Sequence, residues 1–125
     1  MSTIKDKNLA TIGQQEVDWA ARQMKVLEEI KTEFSSSKPL NGLNIGACMH
    51  VTKETANLML TLKAAGANVA LCASNPLSTK DSVAAYLSEN DIEVHAVHGV
   101  SNDDFFKHLN SVLDTKPDIT MDDGA

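Results

Sequence analysis

From residue 43 onward, short apolar runs alternate with longer stretches in which apolar residues recur at helical spacing. The runs at 43–47, 68–72, 92–96 and 117–121 read as strands, and 52–65, 79–90 and 102–113 as helices, the first ending near Gly66. Strands alternating with helices indicate βαβ units and a parallel sheet, with right-handed crossovers that lay helices over its faces. Ahead of this lies a stretch, 12–34, with apolar Ile12, Val17, Ala20, Met24, Leu27 and Ile30. Between them come Glu16, Asp18, Arg22, Lys25, Glu28 and Glu29. That is the pattern of a surface helix with one buried stripe, beside which Trp19 reads as a packing anchor. Residues 35–42, with three serines, Pro39 and Gly42, end that helix, and 1–10 read as a loose polar arm. The fold expected is an α/β three-layer unit with a parallel sheet of about four strands, preceded by an N-terminal helix.

Punctuation supports the reading. Thr52 can cap the helix carrying Glu54 and Thr55, and Gly66 stands where a left-handed C-terminal residue belongs. Ser78-Thr79-Lys80-Asp81 has capping-box spacing, with Asp in place of the usual Glu or Gln.

Composition narrows the function classes. At 125 residues the chain is most simply one domain able to bury a core. Its formal net charge of −6 argues against nucleic-acid binding, which is built mainly on Lys and Arg. No apolar run approaches the roughly 20 residues of a membrane helix, so no membrane partner is expected. Residues 1–7 lack the apolar core of a secretory signal, which reads as cytoplasmic. Cys48 and Cys72 lie at strand ends without a CxxC pair and read as small core residues with free thiols.

Candidate chemistry collects just beyond the strands. The first gives Cys48, His50, Thr52, Glu54 and Thr55; the second Ser74, Asn75, Ser78 and Thr79; the third His98 and Gly99; the fourth Asp122, Asp123 and Gly124. In a parallel sheet these loops share one side, the side where open α/β sheets bind ligands. A histidine, a carboxylate pair and several hydroxyls there make a polar small-molecule rim with acid–base capacity. Each element also has a plainer role. His50 alone suits a solvated histidine, 122–124 a turn, Glu54 a helix-dipole partner, and Ser78 and Thr79 caps. Neither GxGxxG nor GxxxxGK[ST] occurs, so no cofactor-phosphate cradle is written in the chain. No recognised spacing links His50, His95, His98 and Asp123 as metal ligands, and no metal is expected.

Four segments, in order, resemble the adenosylhomocysteinase family. They are Ser37-Lys38-Pro39-Leu40 with the following strand, Cys48 to Ala56, Gly66-Ala67 with the loop from Ser74 to Asp81, and Asp122-Asp123-Gly124. The resemblance runs from about Ile12 onward. It implies reversible hydrolysis of S-adenosyl-L-homocysteine to adenosine and L-homocysteine, through NAD-dependent oxidation, elimination and addition of water. It further implies that His50 acts on water and the leaving group, with Asp123 as its carboxylate partner. Thr52, Glu54 and Thr55 would surround the adenine, Glu54 accepting from its amino group, and Asn75 and Ser78 would line the pocket floor. The family is homotetrameric.

Three positions depart from the family pattern: Met49 stands for Leu, Val51 for Met and Lys80 for Gln. The first two conserve apolar volume, and Lys80 adds a charge near the rim. The family's NAD-binding domain lies beyond the DDG motif. The expectation is therefore that residues 1–125 are the N-terminal part of the substrate-binding domain, a fragment that binds no NAD and does not turn over alone. Two other readings remain open: a free-standing adenosine or small-ligand module, and a regulatory relative without catalysis.

Overall fold

A computed structural model describes residues 1–123; Gly124, part of the fourth rim segment, lies outside them. The elements in order are a 3₁₀ turn (Lys7–Leu9), α1 (Ala10–Ala21), α2 (Lys25–Ser37), β1 (Asn44–Cys48), α3 (Lys53–Ala64) and β2 (Asn68–Cys72). There follow α4 (Asp81–Glu89), β3 (Glu93–His95), α5 (Asn102–Asp114) and β4 (Ile119–Asp122). The sheet order is β3-β2-β1-β4 and every pairing is parallel. The alternation read from the sequence therefore holds. The order supplies what the sequence left out: the chain winds outward from β1 to β3, then crosses back to lay β4 on the other side of β1. The point of reversal, between β1 and β4, opens a crevice at the carboxyl ends of those strands.

The same reversal explains the unequal faces. Ile45 and Ala47 of β1 and Val69 and Leu71 of β2 pack under Val17 of α1, Ala56 and Met59 of α3, and Val83, Ala84 and Leu87 of α4. The alternate positions, Ala70 and Cys72, meet Val112 and Leu109 of α5, with Cys48 alongside. Gly46 faces that second layer closely, since a Cβ there would stand 3.0 Å from Val112 Cγ1 and 3.1 Å from Pro117 Cβ. Gly66 ends α3's cap at φ +99°, the left-handed conformation its position predicts.

Four local expectations are corrected. The helix expected over 12–34 is two helices. Met24 takes φ −116° and ψ 57°, and the turn is closed by Gln23 N–H donating to Ala20 and Met24 N–H to Ala21. No glycine or proline marks the break; packing makes it, because α1 lies against α3 and α4 while α2 must turn to follow α3. The buried stripe of α1 is Ala10, Gly13, Val17 and Ala20, leaving Ile12 53% exposed. Trp19 is 55% exposed rather than an anchor, with the Lys53 ammonium 5.8 Å from its ring centre. The arm is not loose either: Thr3 pairs beside β3, exchanging backbone hydrogen bonds with Val94 and Ala96 at 2.8 and 3.0 Å. Finally, the capping box does not form. Lys80 is the N-cap of α4 without a side-chain bond, because the backbone of Ser78 and Lys80 is engaged by Val51.

Candidate functional site

The strand register builds the site. Cys48 pairs with Cys72 across β1 and β2, and with Asp122 across β1 and β4. The residues two steps beyond the cysteines, His50 and Ser74, therefore stand side by side, and Asp123 follows on the other flank. The Ser74 hydroxyl lies 2.6 Å from His50 Nδ1, and the His50 amide donates to Asp123 Oδ2 at 3.3 Å. One ring nitrogen of His50 is thus engaged by Ser74, leaving Nε2 as the nitrogen that Ser74 does not touch. A histidine oriented this way beside a carboxylate can accept and return a proton to a ligand in the crevice.

Two loops are then clamped together. Val51 N–H donates to Ser78 at 2.8 Å and Lys80 N–H to Val51 at 2.9 Å, a short parallel bridge past the end of β1. It brings the start of α3 against the loop before α4. Thr52 caps α3, its Oγ1 accepting from Thr55 N–H at 3.3 Å and donating to Thr55 Oγ1 at the same distance. Glu54 is exposed in the first turn of α3, 3.2 Å from Lys53 Nζ. Burial works to raise its pKa, but its own backbone N–H, Lys53 and the Thr52 hydroxyl outweigh that and hold it below the ordinary carboxylate value.

Two clefts open on this edge. The polar one, about 410 Å³, is walled by His50, Thr52, Lys53, Glu54, Ser78 and Lys80, with Glu16, Val51, Leu77, Thr79 and His98 completing it. The apolar one, about 610 Å³, runs between α2 and α3 and is lined by Met24, Val26, Leu27, Met49, Thr55 and Leu58, with Glu54 at its edge. Both fall in the range of about 300–1,000 Å³ that small-molecule sites occupy.

The residues singled out from the sequence sort themselves accordingly. His50 and Asp123 meet at the β1–β4 crevice. His50, Thr52, Glu54 and Ser78 share the polar cleft, while Glu54 and Thr55 reach the apolar one. Asn75 walls neither cleft. Its Oδ1 accepts from Leu77 N–H at 2.9 Å and its carbonyl from the Ser78 hydroxyl at 3.1 Å, so it shapes the loop that presents Ser78. Lys80 reaches across to Glu16 of α1 at 3.7 Å. The Ser74–His50 contact is legible only once the β1–β2 register is known. Glu16 and the α2 residues carried no sequence signal, since their place on the edge depends on how the first two helices fold back.

The cysteines behave as interior groups. Burial pushes the Cys72 thiol well above its ordinary pKa. Burial raises Cys48, the Cys72 thiol partly offsets that, and Asp122 and Asp123 add smaller increases. Among the described residues, no cluster of three or more His, Cys, Asp or Glu could hold a metal ion. No helix among them is long and apolar enough to cross a membrane.

Comparison with known proteins gives a consistent answer. The family model described as S-adenosyl-L-homocysteine hydrolase matches residues 1–125. The chain is 50% identical over 123 residues to the adenosylhomocysteinase of Aquifex aeolicus, covering 98% of this chain and 29% of that protein. It is likewise 50% identical to that of Saccharolobus solfataricus, covering 98% of this chain and 30% of the relative. For Thermosynechococcus vestitus the identity is 49%, with 98% and 29% covered. The chain thus spans under a third of the length of these relatives.

Proposed function

Because this chain belongs to the S-adenosyl-L-homocysteine hydrolase family, we propose that it is the substrate-binding portion of an enzyme that reversibly hydrolyses S-adenosyl-L-homocysteine to adenosine and L-homocysteine. The observation that carries this reading is the meeting of His50, Ser74 and Asp123 at the β1–β4 crevice, flanked by one apolar and one polar cleft. His50 moves the proton between water and the departing sulfur at the nucleoside 5′ position. Asp123, accepting from the His50 backbone amide, holds that residue at the crevice, and Ser74 fixes the ring. The apolar cleft suits a planar purine, with Met49, Leu58 and Leu27 covering its faces and Glu54 accepting from its exocyclic amino group. Thr52 and Thr55 hold the first turn of α3 in place beneath it, and Asn75 keeps Ser78 at the wall.

The NAD that the family resemblance implies does not fit the residues present. The turn from β1 to α3 contains no glycine, and the Thr52 hydroxyl already caps the helix end that a pyrophosphate would need. We therefore assign NAD binding, and with it turnover and tetramer assembly, to a longer polypeptide working in the cytoplasm, and assign to residues 1–125 alone binding without turnover. Calorimetry of the 125-residue protein with adenosine tests this. Wild type should bind, and Glu54→Gln should weaken binding by about 1 kcal/mol, since the charged acceptor for the amino group becomes a neutral amide oxygen. Absence of adenosine binding, or equal affinity in Glu54→Gln, would defeat the assignment.

A further inference from the structure

The ion pair at the start of α3 joins two residues that a helix does not normally bring together. Lys53 and Glu54 are neighbours in sequence, and successive helical side chains do not face each other. Yet Lys53 Nζ lies 3.2 Å from Glu54 Oε1. A second partner holds the lysine there. Trp19 stands on α1, which packs against α3, and its ring centre is 5.8 Å from the Lys53 ammonium, within the range of a cation–π contact. One ammonium therefore has two seats, a carboxylate oxygen and an indole face.

The pair is placed where it bears on ligand access. Glu54 stands on a wall shared by the two clefts, whereas Lys53 lines the polar one alone. Neither group is locked in place. The lysine and glutamate side chains are 36% and 53% exposed, and Trp19 is 55% exposed. An ion pair this open is worth only a few-fold in an equilibrium, and an exposed cation–π contact is worth about as much. Two weak seats of similar strength let a ligand move the ammonium from one to the other.

We propose that Lys53 is an internal competitor for Glu54: it holds the acceptor oxygen before a ligand arrives, and a ligand amino group that takes this oxygen sends the ammonium to the face of Trp19. This rests on the functional reading above, in which Glu54 accepts from the exocyclic amino group of the purine. Lys53 then sets how tightly that amino group is held without touching the ligand, and Trp19 limits the cost of displacing it. No proton changes hands, because the amino group donates a hydrogen bond and both charges persist.

Trp19 is the single tryptophan of the chain, so its emission reports where the ammonium sits. The test titrates the 125-residue protein with adenosine and with purine riboside, which lacks the amino group, following Trp19 emission and measuring affinity by calorimetry. Adenosine should shift the emission of wild type, and purine riboside should not. Lys53→Met should bind adenosine about threefold more tightly and without the shift, while Lys53→Arg should stay close to wild type in both. Affinity of Lys53→Met equal to or below wild type, or the same shift with both nucleosides, would overturn the proposal. A ligand-free comparison separates it from the functional reading. Glu54→Gln removes the charged seat and should by itself shift Trp19 emission, whereas the same change in a Lys53→Met background should leave emission unaltered. That shift without adenosine binding keeps the two-seat lysine and removes the nucleoside function. Adenosine binding with no emission shift in either experiment removes this proposal and leaves the function standing.

Discussion

Gly13 is the position where one methyl group should do most damage. It lies on the buried face of α1, where α1 crosses α4. A Cβ added there would run into the carbonyl oxygen of Ser82, 2.6 Å from its carbon and 2.9 Å from Tyr86 Cβ. Carbon atoms in contact sit about 3.5 Å apart or more, so α1 would have to retreat by about 1 Å. The obstacle is helical backbone and cannot rotate away. Overpacking of this kind costs about 1–3 kcal/mol, and contact with backbone places Gly13→Ala at the upper end. Against it stands the helix-propensity gain of alanine over glycine, about 0.5–1 kcal/mol. The net loss is about 2 kcal/mol, a fall in Tm of about 8 °C at this chain length. Thermal unfolding followed by far-UV circular dichroism measures it. A Tm equal to or above wild type would mean that propensity wins, and that α1 and α4 are not in backbone contact. Gly42→Ala is the contrasting variant: φ is +81° but nothing lies within 4 Å, so only backbone strain of about 1–2 kcal/mol is expected.

Acid should weaken the α5 layer through His108, which is 7% exposed with its ring centre 6.4 Å from that of His95. Burial, then the neighbouring His95, hold its pKa below the ordinary value, against an opposing pull from Asp104. The unfolded chain thus binds the proton more readily, so this stability is complete above about pH 6.5 and declines as pH falls toward the folded-state value, by at most about 1.4 kcal/mol per pH unit. Urea midpoints between pH 7 and 5 should show the decline, and a His108→Gln variant with the same slope as wild type would rule His108 out as its source. Asn57 is buried and its Nδ2 bridges helices, donating to Val17 at 3.1 Å and Lys53 at 2.9 Å. Asn57→Ala should cost about 1–3 kcal/mol in chemical unfolding, because the Val17 carbonyl loses its donor at the α1–α3 contact; a cost near zero would show that carbonyl to be satisfied without Asn57.

The parts of the fold that follow from local periodicity were readable from the chain alone. β2 at 68–72 matches residue for residue, and α3 sits within its expected span with Thr52 and Ala65 as caps. Where long-range pairing overrides local pattern, the reading shifts. Thr79 looks like the second residue of a capping box, yet it is drawn into the bridge with Val51 and α4 starts later. The break at Met24 has no local breaker and follows only from the need of α2 to lie on α3. The candidate site divides along the same line. That His50, Asp123 and the Thr52–Glu54 turn share an edge follows from βα alternation. That His50 touches both Ser74 and Asp123 requires the strand order, because β4 reaches β1 only after the chain reverses.

The two polar groups on this edge are anchored differently. His50 and Asp123 come from strands and are held by the sheet's own register. Glu16 comes from a helix outside the sheet and is held by Ser82, three residues along α1 from the glycine that lets α1 approach α4. The close helix crossing is therefore what sets the charge: if α1 backs away, the Glu16–Ser82 bond lengthens before any strand moves. Gly13→Ala should then disturb the polar cleft, including Lys80, while leaving the His50–Asp123 crevice in register. Amide shifts in that variant confined to the Glu16–Lys80 wall would support this division of labour, and equal shifts at Cys48, His50 and Asp123 would refute it.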